Sequence, residues 1–208
     1  MIRIDISKTL AKPLGAHIRP ATSTTAEFSW RAELAIIGTE RCVVAQEIFT
    51  GYVLVLCNLS ADDFNSFPEL FSDRLFRETL ALCKQAKLYE KQELTRKLAQ
   101  IVAPQQVQLD PEPIEDGKIL KVIENLERRY LLEGQDLPRS GRQAFEFGLK
   151  FNNRKSSSDK PLKLNPAQRM ANLCLNLIAE LPDDSPIMPE ILSEEANIVR
   201  VDFGRNRK

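Results

Sequence analysis

Three short apolar segments joined by glycine-containing links constrain the fold of this 208-residue chain more than any other feature. The segments are residues 31–37, 42–48 and 52–59, and the links are residues 38–40 and 50–51. Connections this short join antiparallel neighbours, because parallel strands need a crossover of a dozen or more residues. The sequence therefore predicts a three-stranded antiparallel meander.

Further strands are predicted on both sides of the meander. Ile2, Ile4 and Ile6 alternate with charged residues, which is the period of a half-buried strand. The same alternation over residues 199–203 predicts a C-terminal strand that is a candidate to return to the sheet. A short strand is also predicted after Val107, whereas residues 8–25 have turn chemistry and predict a loop.

Helices are predicted over residues 60–103, 116–133 and 165–181. Ser60 precedes two acidic residues, and Asn165 precedes a proline, so both fit the start of a helix. The clearest apolar stripe consists of Ile119, Val122, Ile123, Leu126 and Tyr130. The predicted class is α+β, with an antiparallel sheet of the N-terminal strand and the meander packed by three to four helices. Residues 1–134 are predicted to form the core domain, and residues 135–208 an extension packed on it.

Composition excludes several classes of function. The chain has 29 basic and 29 acidic residues, so its surface as a whole attracts neither nucleic acid nor anionic lipid. Four cysteines lie far apart in apolar stretches and there is one histidine, so neither a metal, a cofactor nor a disulfide is predicted. With no secretory leader and no apolar run of about 18 residues, the expectation is a cytoplasmic protein without a membrane segment.

One part of the chain resembles a family of bacterial proteins of unknown function. The pattern is Trp30-x-Ala32-x-Leu34, Cys42-Val43-Val44, Leu54-x-Leu56 and then Phe64-x-x-Phe67-x-Glu69-Leu70-Phe71. This similarity covers residues 28–71, and a fainter one follows over residues 118–126. It differs from the family pattern at Glu33, Lys121 and the pair Glu124-Asn125. The resemblance implies a fold but no activity.

The hairpin offers a first set of candidate site residues. Trp30, Arg31 and Arg41 could together stack on and pair with a nucleotide or phosphate. A tryptophan at the start of an alternating strand is more typical of a core position. Cys42 lacks the nearby base that a catalytic thiol requires. The pattern favours a scaffold, with the two arginines at its polar edge.

The C-terminal third has sorted charges. Residues 139–169 carry eight basic and two acidic residues, and residues 180–195 carry six acids and no base. Basic residues interleaved with phenylalanines are typical of a platform for single-stranded nucleic acid. A solvated face or a surface for a protein partner are the alternatives. The candidate residues are Arg139, Arg142, Phe145, Phe147, Lys150, Arg154 and Lys155.

The leading functional hypothesis is a non-catalytic interaction or regulatory module, with an unidentified protein partner or a second copy of the chain. It follows from the lack of any residue set that meets the needs of a known reaction, so no catalytic residue is predicted. Binding of single-stranded nucleic acid by residues 139–169 is the alternative. A hydrolase or transferase with a dispersed site is the second alternative.

Overall fold

A computed structural model describes residues 2–18, 26–103, 107–111, 117–154 and 164–181, with the backbone alone for 107–111. The strands are β1 (Ile2–Ile6), β2 (Phe28–Ile37), β3 (Glu40–Glu47), β4 (Val53–Leu56) and β5 (Val107–Pro111). The helices are α1 (Lys8–Ala11), α2 (Ala61–Asn65), α3 (Phe67–Cys83), α4 (Lys91–Ile101), α5 (Gly117–Glu127), α6 (Gly141–Asn152) and α7 (Pro166–Glu180). The chain therefore has the predicted α+β class.

The strands form one sheet in the order β4-β3-β2-β1-β5. β2, β3 and β4 are the predicted antiparallel meander. β1, however, runs parallel to β2, with Ile4 opposite Trp30, and β5 runs parallel to β1. The prediction of a fully antiparallel sheet is therefore wrong for the N-terminal strand. The physical reason is the connection of residues 7–27, which is long enough for a crossover, so the short-link argument does not apply to it.

The edge of the sheet next to β1 is taken by the strand predicted after Val107, which is β5. The predicted C-terminal strand, residues 199–203, lies outside the described residues. The predicted loop of residues 8–25 is partly helical, since it contains α1 and a 3₁₀ turn at Gly15–His17. Ser7 caps α1, because its hydroxyl accepts a hydrogen bond from the backbone N–H of Leu10 at 3.1 Å.

Helices cover both faces of the sheet. One face of β2, which includes Trp30 and Ala32, packs on α1, α3, α4 and α7 in the larger core. Ala35 and Ile37 face the other way and pack on α5 in the smaller core. Alternate residues of a strand point to opposite faces, so one strand supplies both cores. Four residues of the predicted stripe, Ile119, Val122, Ile123 and Leu126, are buried on α5, and the fifth, Tyr130, lies beyond α5 and is half-buried. No helix in the described ranges is long and apolar enough to cross a membrane.

The open edge of β4 is covered by α6, a helix that the sequence does not predict. Phe145 packs against the larger core, and Phe147 belongs to the smaller one. The Asn152 amide accepts a hydrogen bond from the Val53 N–H at 2.7 Å and donates one to the Val53 carbonyl at 2.8 Å. It thus occupies the groups that a further strand would pair. The division of the chain at residue 134 stays a prediction.

Candidate functional site

Two of the predicted basic residues, Arg139 and Lys150, line a pocket of about 270 Å³ beside α6. Its walls come from a π-helical turn, Arg128–Leu132, that follows α5, from the segment of residues 136–139, and from α6. The lining residues are Arg129, Asp136, Leu137, Pro138, Arg139, Gln143, Glu146, Phe147 and Lys150.

The π-helical turn places Arg129 in the pocket wall. Tyr130, the next residue, packs on the β2–β3 turn, where a Cβ added to Gly38 would lie 2.6 Å from the tyrosine ring. Gly38 also has a φ of +63°, so the turn requires glycine for both its conformation and this contact. Gly134, with a φ of +62°, then redirects the chain toward the second wall. π-helical turns recur at functional sites because they change the direction of side chains within a helix.

The second wall, residues 136–139, is fixed by hydrogen bonds at each end. The Arg139 N–H donates to Gln143 of α6 at 2.8 Å, and the Arg139 guanidinium donates to Asp136 at 2.9 Å. The Asn58 amide donates to the carbonyl of Pro138 at 2.9 Å, and Leu137 is buried in the smaller core. The wall is therefore held in place before any ligand arrives.

The floor of the pocket is the ring of Phe147, which is only 3% exposed. The Arg129 guanidinium lies 5.4 Å from the ring centroid, and the Lys150 ammonium lies 5.8 Å from it. Both distances are in the range of cation–π attraction. One aromatic ring thus holds two positive charges.

The carboxylates around the pocket are already engaged. Asp136 pairs with Arg139 at 2.9 Å, and Glu146 pairs with Arg142 at 2.8 Å. Arg129 and Lys150 have no carboxylate partner among the residues that the structure describes, and the Nε atom of Arg129 is buried without a hydrogen-bond partner. Within the described part of the chain, the pocket therefore has two positive charges without a paired carboxylate.

The structure separates the candidate residues of the predicted basic region, residues 139–169, into two groups. Arg139, Phe147 and Lys150 line the pocket, and Arg142 borders it through its ion pair with Glu146. The remaining predicted residues lie elsewhere: Phe145 is half-buried against the larger core, Arg154 is exposed beyond α6, and Lys155 lies outside the described residues. Both phenylalanines are therefore used in packing.

Sequence reasoning missed Arg129. In the sequence, Arg129 is marked only by its position next to Tyr130, the last residue of the predicted stripe. The charged residues around it resemble a solvated helix face. The π-helical turn that directs it into the pocket has no sequence signature of its own.

The hairpin residues do not assemble into a site. Trp30 is fully buried, and its ring packs edge-on against Phe71 with centroids 5.3 Å apart. Arg31 and Arg41 point to opposite faces of the sheet by strand alternation. Arg41 pairs in register with Ile36, five residues along β2 from Arg31, which is about 17 Å. The two arginines therefore cannot hold one ligand together.

A buried polar cluster lies inside the larger core. Tyr52 donates to Glu78 at 2.6 Å, and Arg74 lies 2.7 Å from the other oxygen of that carboxylate. Burial raises the pKa of Glu78 despite the lowering by Arg74, and burial also raises the pKa of Tyr52. All three side chains are closed off from solvent, which indicates a structural role. Elsewhere in the described ranges, no group of three or more His, Cys, Asp and Glu residues could hold a metal ion.

No curated protein and no solved structure matches the chain. A family model described as a domain of unknown function (DUF6933) matches residues 3–106, which is half of the chain. The match includes residues 28–71, on which the predicted resemblance rests, and runs from β1 to the end of α4. The pocket beside α6 lies beyond the matched residues. The chain belongs to the family of this domain of unknown function.

Proposed function

We propose that the protein is an interaction module that binds an anionic group of its ligand, a phosphate or a carboxylate, in the pocket beside α6. The observation that carries the proposal is the placement of Arg129 and Lys150 around one buried ring, with no carboxylate partner for either among the described residues. The ligand's anion supplies the missing negative charge.

The energetics favour an anion at this position. Two positive charges around one ring repel each other by roughly 1–2 kcal/mol at the effective dielectric constant of a protein surface. An anion between them replaces this repulsion with two attractions. The guanidinium of Arg129 has a planar set of donors that matches phosphate and carboxylate oxygens, and Lys150 adds a point charge. Because Phe147 already anchors both cations, binding orders few further side chains.

The same features distinguish the pocket from a nucleic-acid platform. Single-stranded nucleic acid binds along a row of available cations and exposed aromatic rings on which its bases stack. Here Arg139 and Arg142 are held in ion pairs, and Phe145 and Phe147 of α6 pack into the two cores. A single anionic group therefore fits the described surface better than an extended strand does.

Calorimetric titration of the full chain with pyrophosphate at low salt tests the proposal. We expect saturable binding that weakens at least tenfold in Arg129→Gln and in Lys150→Gln, since each removes one of the two charges. Lys121→Gln is the matched control, because Lys121 is an exposed lysine of the neighbouring helix α5 and does not line the pocket.

Either of two results would contradict the proposal. One is an absence of saturable binding, and the other is an equal loss in Lys121→Gln, which indicates general charge attraction. Titration with a short single-stranded RNA tests the nucleic-acid alternative. Binding that is insensitive to Arg129→Gln, with a salt dependence of more than about two released counterions, would favour that alternative instead.

A further inference from the structure

The fold brings the four cysteines together as two pairs. Cys42 of β3 and Cys57, just after β4, are hydrogen-bonding neighbours in the smaller core. Cys83 of α3 and Cys174 of α7 are hydrogen-bonding neighbours in the larger core. All four thiols are free. The members of each pair come from different elements, so the spacing of the cysteines in the sequence does not predict either pair.

The register of β3 and β4 gives the geometry of the first pair. The pairing of β3 and β4 ends with Val43 opposite Leu56, and one further step of the same register would place Cys42 opposite Cys57. The N–H of Glu47 donates to the carbonyl of Tyr52 at 2.8 Å, which marks that pair as hydrogen-bonded. Hydrogen-bonded and non-hydrogen-bonded pairs alternate along an antiparallel ladder, and five steps separate the two positions.

Continued to Cys42 and Cys57, this alternation gives a non-hydrogen-bonded pair. In such pairs the Cα atoms lie about 4.5 Å apart, and side chains on the same face are at their closest. Disulfides occur at Cα separations of about 4.4–6.8 Å. The two residues can therefore be bridged without a change of strand register.

The two thiols share one hydrogen bond. It lowers the pKa of Cys42, to which the backbone N–H of Asn58 also contributes, and it raises the pKa of Cys57. Asn58 has a φ of +58°, an uncommon conformation outside glycine that is held by the bond from its amide to Pro138. Cys42 is fully buried, whereas Cys57 is partly exposed. A small oxidant therefore reaches the pair from the Cys57 side.

We propose that Cys42 and Cys57 are a reversible oxidation site, at which a peroxide converts the two thiols into a cross-strand disulfide. The proposal does not rest on the anion-binding pocket. Its basis is the paired register, the shared face and the one-sided access to solvent.

The reaction balances with hydrogen peroxide as the oxidant. The Cys57 sulfur attacks a peroxide oxygen and gives up its proton. The O–O bond breaks, the departing hydroxide takes up that proton and leaves as water, and Cys57 becomes a sulfenic acid. The Cys42 sulfur then attacks the Cys57 sulfur, the S–O bond breaks, and the proton of Cys42 leaves with the second water. Two electrons pass from the thiols to the peroxide.

The pair in the larger core is an internal control. Cys83 is 1% exposed and Cys174 is 0% exposed, so an oxidant reaches neither thiol while the protein is folded. Oxidation of the native protein should therefore modify one pair and leave the other reduced. If oxidation took place only during unfolding, both pairs would be modified alike.

The test treats the native full-length protein with hydrogen peroxide, alkylates free thiols in denaturant and maps the peptides by mass spectrometry. We expect a linked peptide containing Cys42 and Cys57, lighter by two hydrogen atoms and restored by dithiothreitol, with Cys83 and Cys174 alkylated. In Cys42→Ser, Cys57 should stop at the sulfenic acid and be trapped by dimedone, because the second thiol is missing. Cys83→Ser should leave the linked peptide unchanged.

Absence of the linked peptide from the wild-type protein would overturn the proposal. Oxidation of Cys83 and Cys174 at the same rate would overturn it too, since that result means that oxidation proceeds through unfolding. The wild-type map decides the matter even if a serine variant does not fold.

Discussion

Within α3, two ion pairs of the same spacing lie in opposite environments. Arg74 and Glu78 form an i,i+4 pair whose side chains are 7% and 3% exposed. Asp73 and Arg77 form an i,i+4 pair one position away, at 53% and 59% exposure. A buried pair that loses one partner leaves an uncompensated charge, whereas an exposed pair is replaced by water. The two pairs therefore make a matched test of burial.

Arg74→Met should lower the free energy of unfolding at neutral pH by about 3–5 kcal/mol, because Glu78 is left buried without a cation. Arg77→Met is the control and should cost less than about 1 kcal/mol, since its partner Asp73 is solvated. Urea unfolding followed by circular dichroism measures both. Equal costs in the two variants would show that the buried pair contributes no more than the exposed one.

The cost of Arg74→Met should also depend on pH. Burial raises the pKa of Glu78 and Arg74 lowers it, so the variant has a still higher folded-state pKa. A carboxyl with a raised folded pKa favours folding fully below its unfolded pKa of about 4.3, and this contribution is lost as pH rises through the folded pKa. The deficit relative to wild type should therefore grow from about pH 4 upward. A deficit that is constant with pH would assign the loss to packing alone.

These pairs also show where prediction from sequence stops at the residue scale. Apolar core positions such as Ile119 and Leu126 follow from periodicity and are buried as expected. Arg74 and Glu78 carry the same i,i+4 pattern as their exposed neighbours, so nothing local marks them as buried. Tertiary contacts account for their burial: Glu78 accepts the hydrogen bond from Tyr52, and Arg74 packs against Gly141, where an added Cβ would lie 2.5 Å from its guanidinium.

At the scale of the elements, the side chain of Asn152 bonds α6 to the backbone of the sheet edge. Asn152 bonds both the N–H and the carbonyl of Val53. Asn152→Leu should cost about 2–4 kcal/mol in the free energy of unfolding, because it leaves two buried backbone groups unpaired. Asn153→Leu is the control, since Asn153 is the exposed residue that follows.

Hydrogen exchange of the Val53 amide shows whether that cost comes from the lost hydrogen bonds or from altered packing of the helix. We expect its protection to fall in Asn152→Leu and to be unchanged in Asn153→Leu. Loss of stability with full protection of Val53 would contradict the role of the amide and point to packing of the helix instead.

Helix α6 also shows why a helix with two apolar faces is not predicted from its sequence. Phe145 and Leu149 pack on one core, and Phe147 and Phe151 pack on the other. The apolar residues therefore form no single stripe, and Gly141 and Gly148 lower the helix propensity further. The pocket could be predicted only in part. Some of its residues on α6 belong to the basic region seen in the sequence, whereas Arg129 enters the pocket only because of the π-helical turn.

At the scale of the whole molecule, the end of the region matched by the family model does not coincide with a boundary in the packing. The matched residues 3–106 supply four strands and the helices up to α4. Yet α7 contributes Met170, Cys174 and Ile178, all fully buried, to the larger core. The smaller core likewise needs α5 and Phe147 of α6. The described helices beyond the matched residues thus close both faces of a sheet that the matched residues begin.

This packing predicts that residues 1–134 do not fold independently. Without the rest of the chain, the edge of β4 and the face of α3 that meets α7 lose their cover, and small domains have little stability to spare. The fragment should therefore lack near-ultraviolet circular dichroism and cooperative unfolding, and it should bind an apolar dye. Addition of separately purified residues 135–208 should restore the native spectrum. Cooperative unfolding of the fragment alone, with the spectrum of the full chain, would instead show that residues 135–208 form a separate lobe.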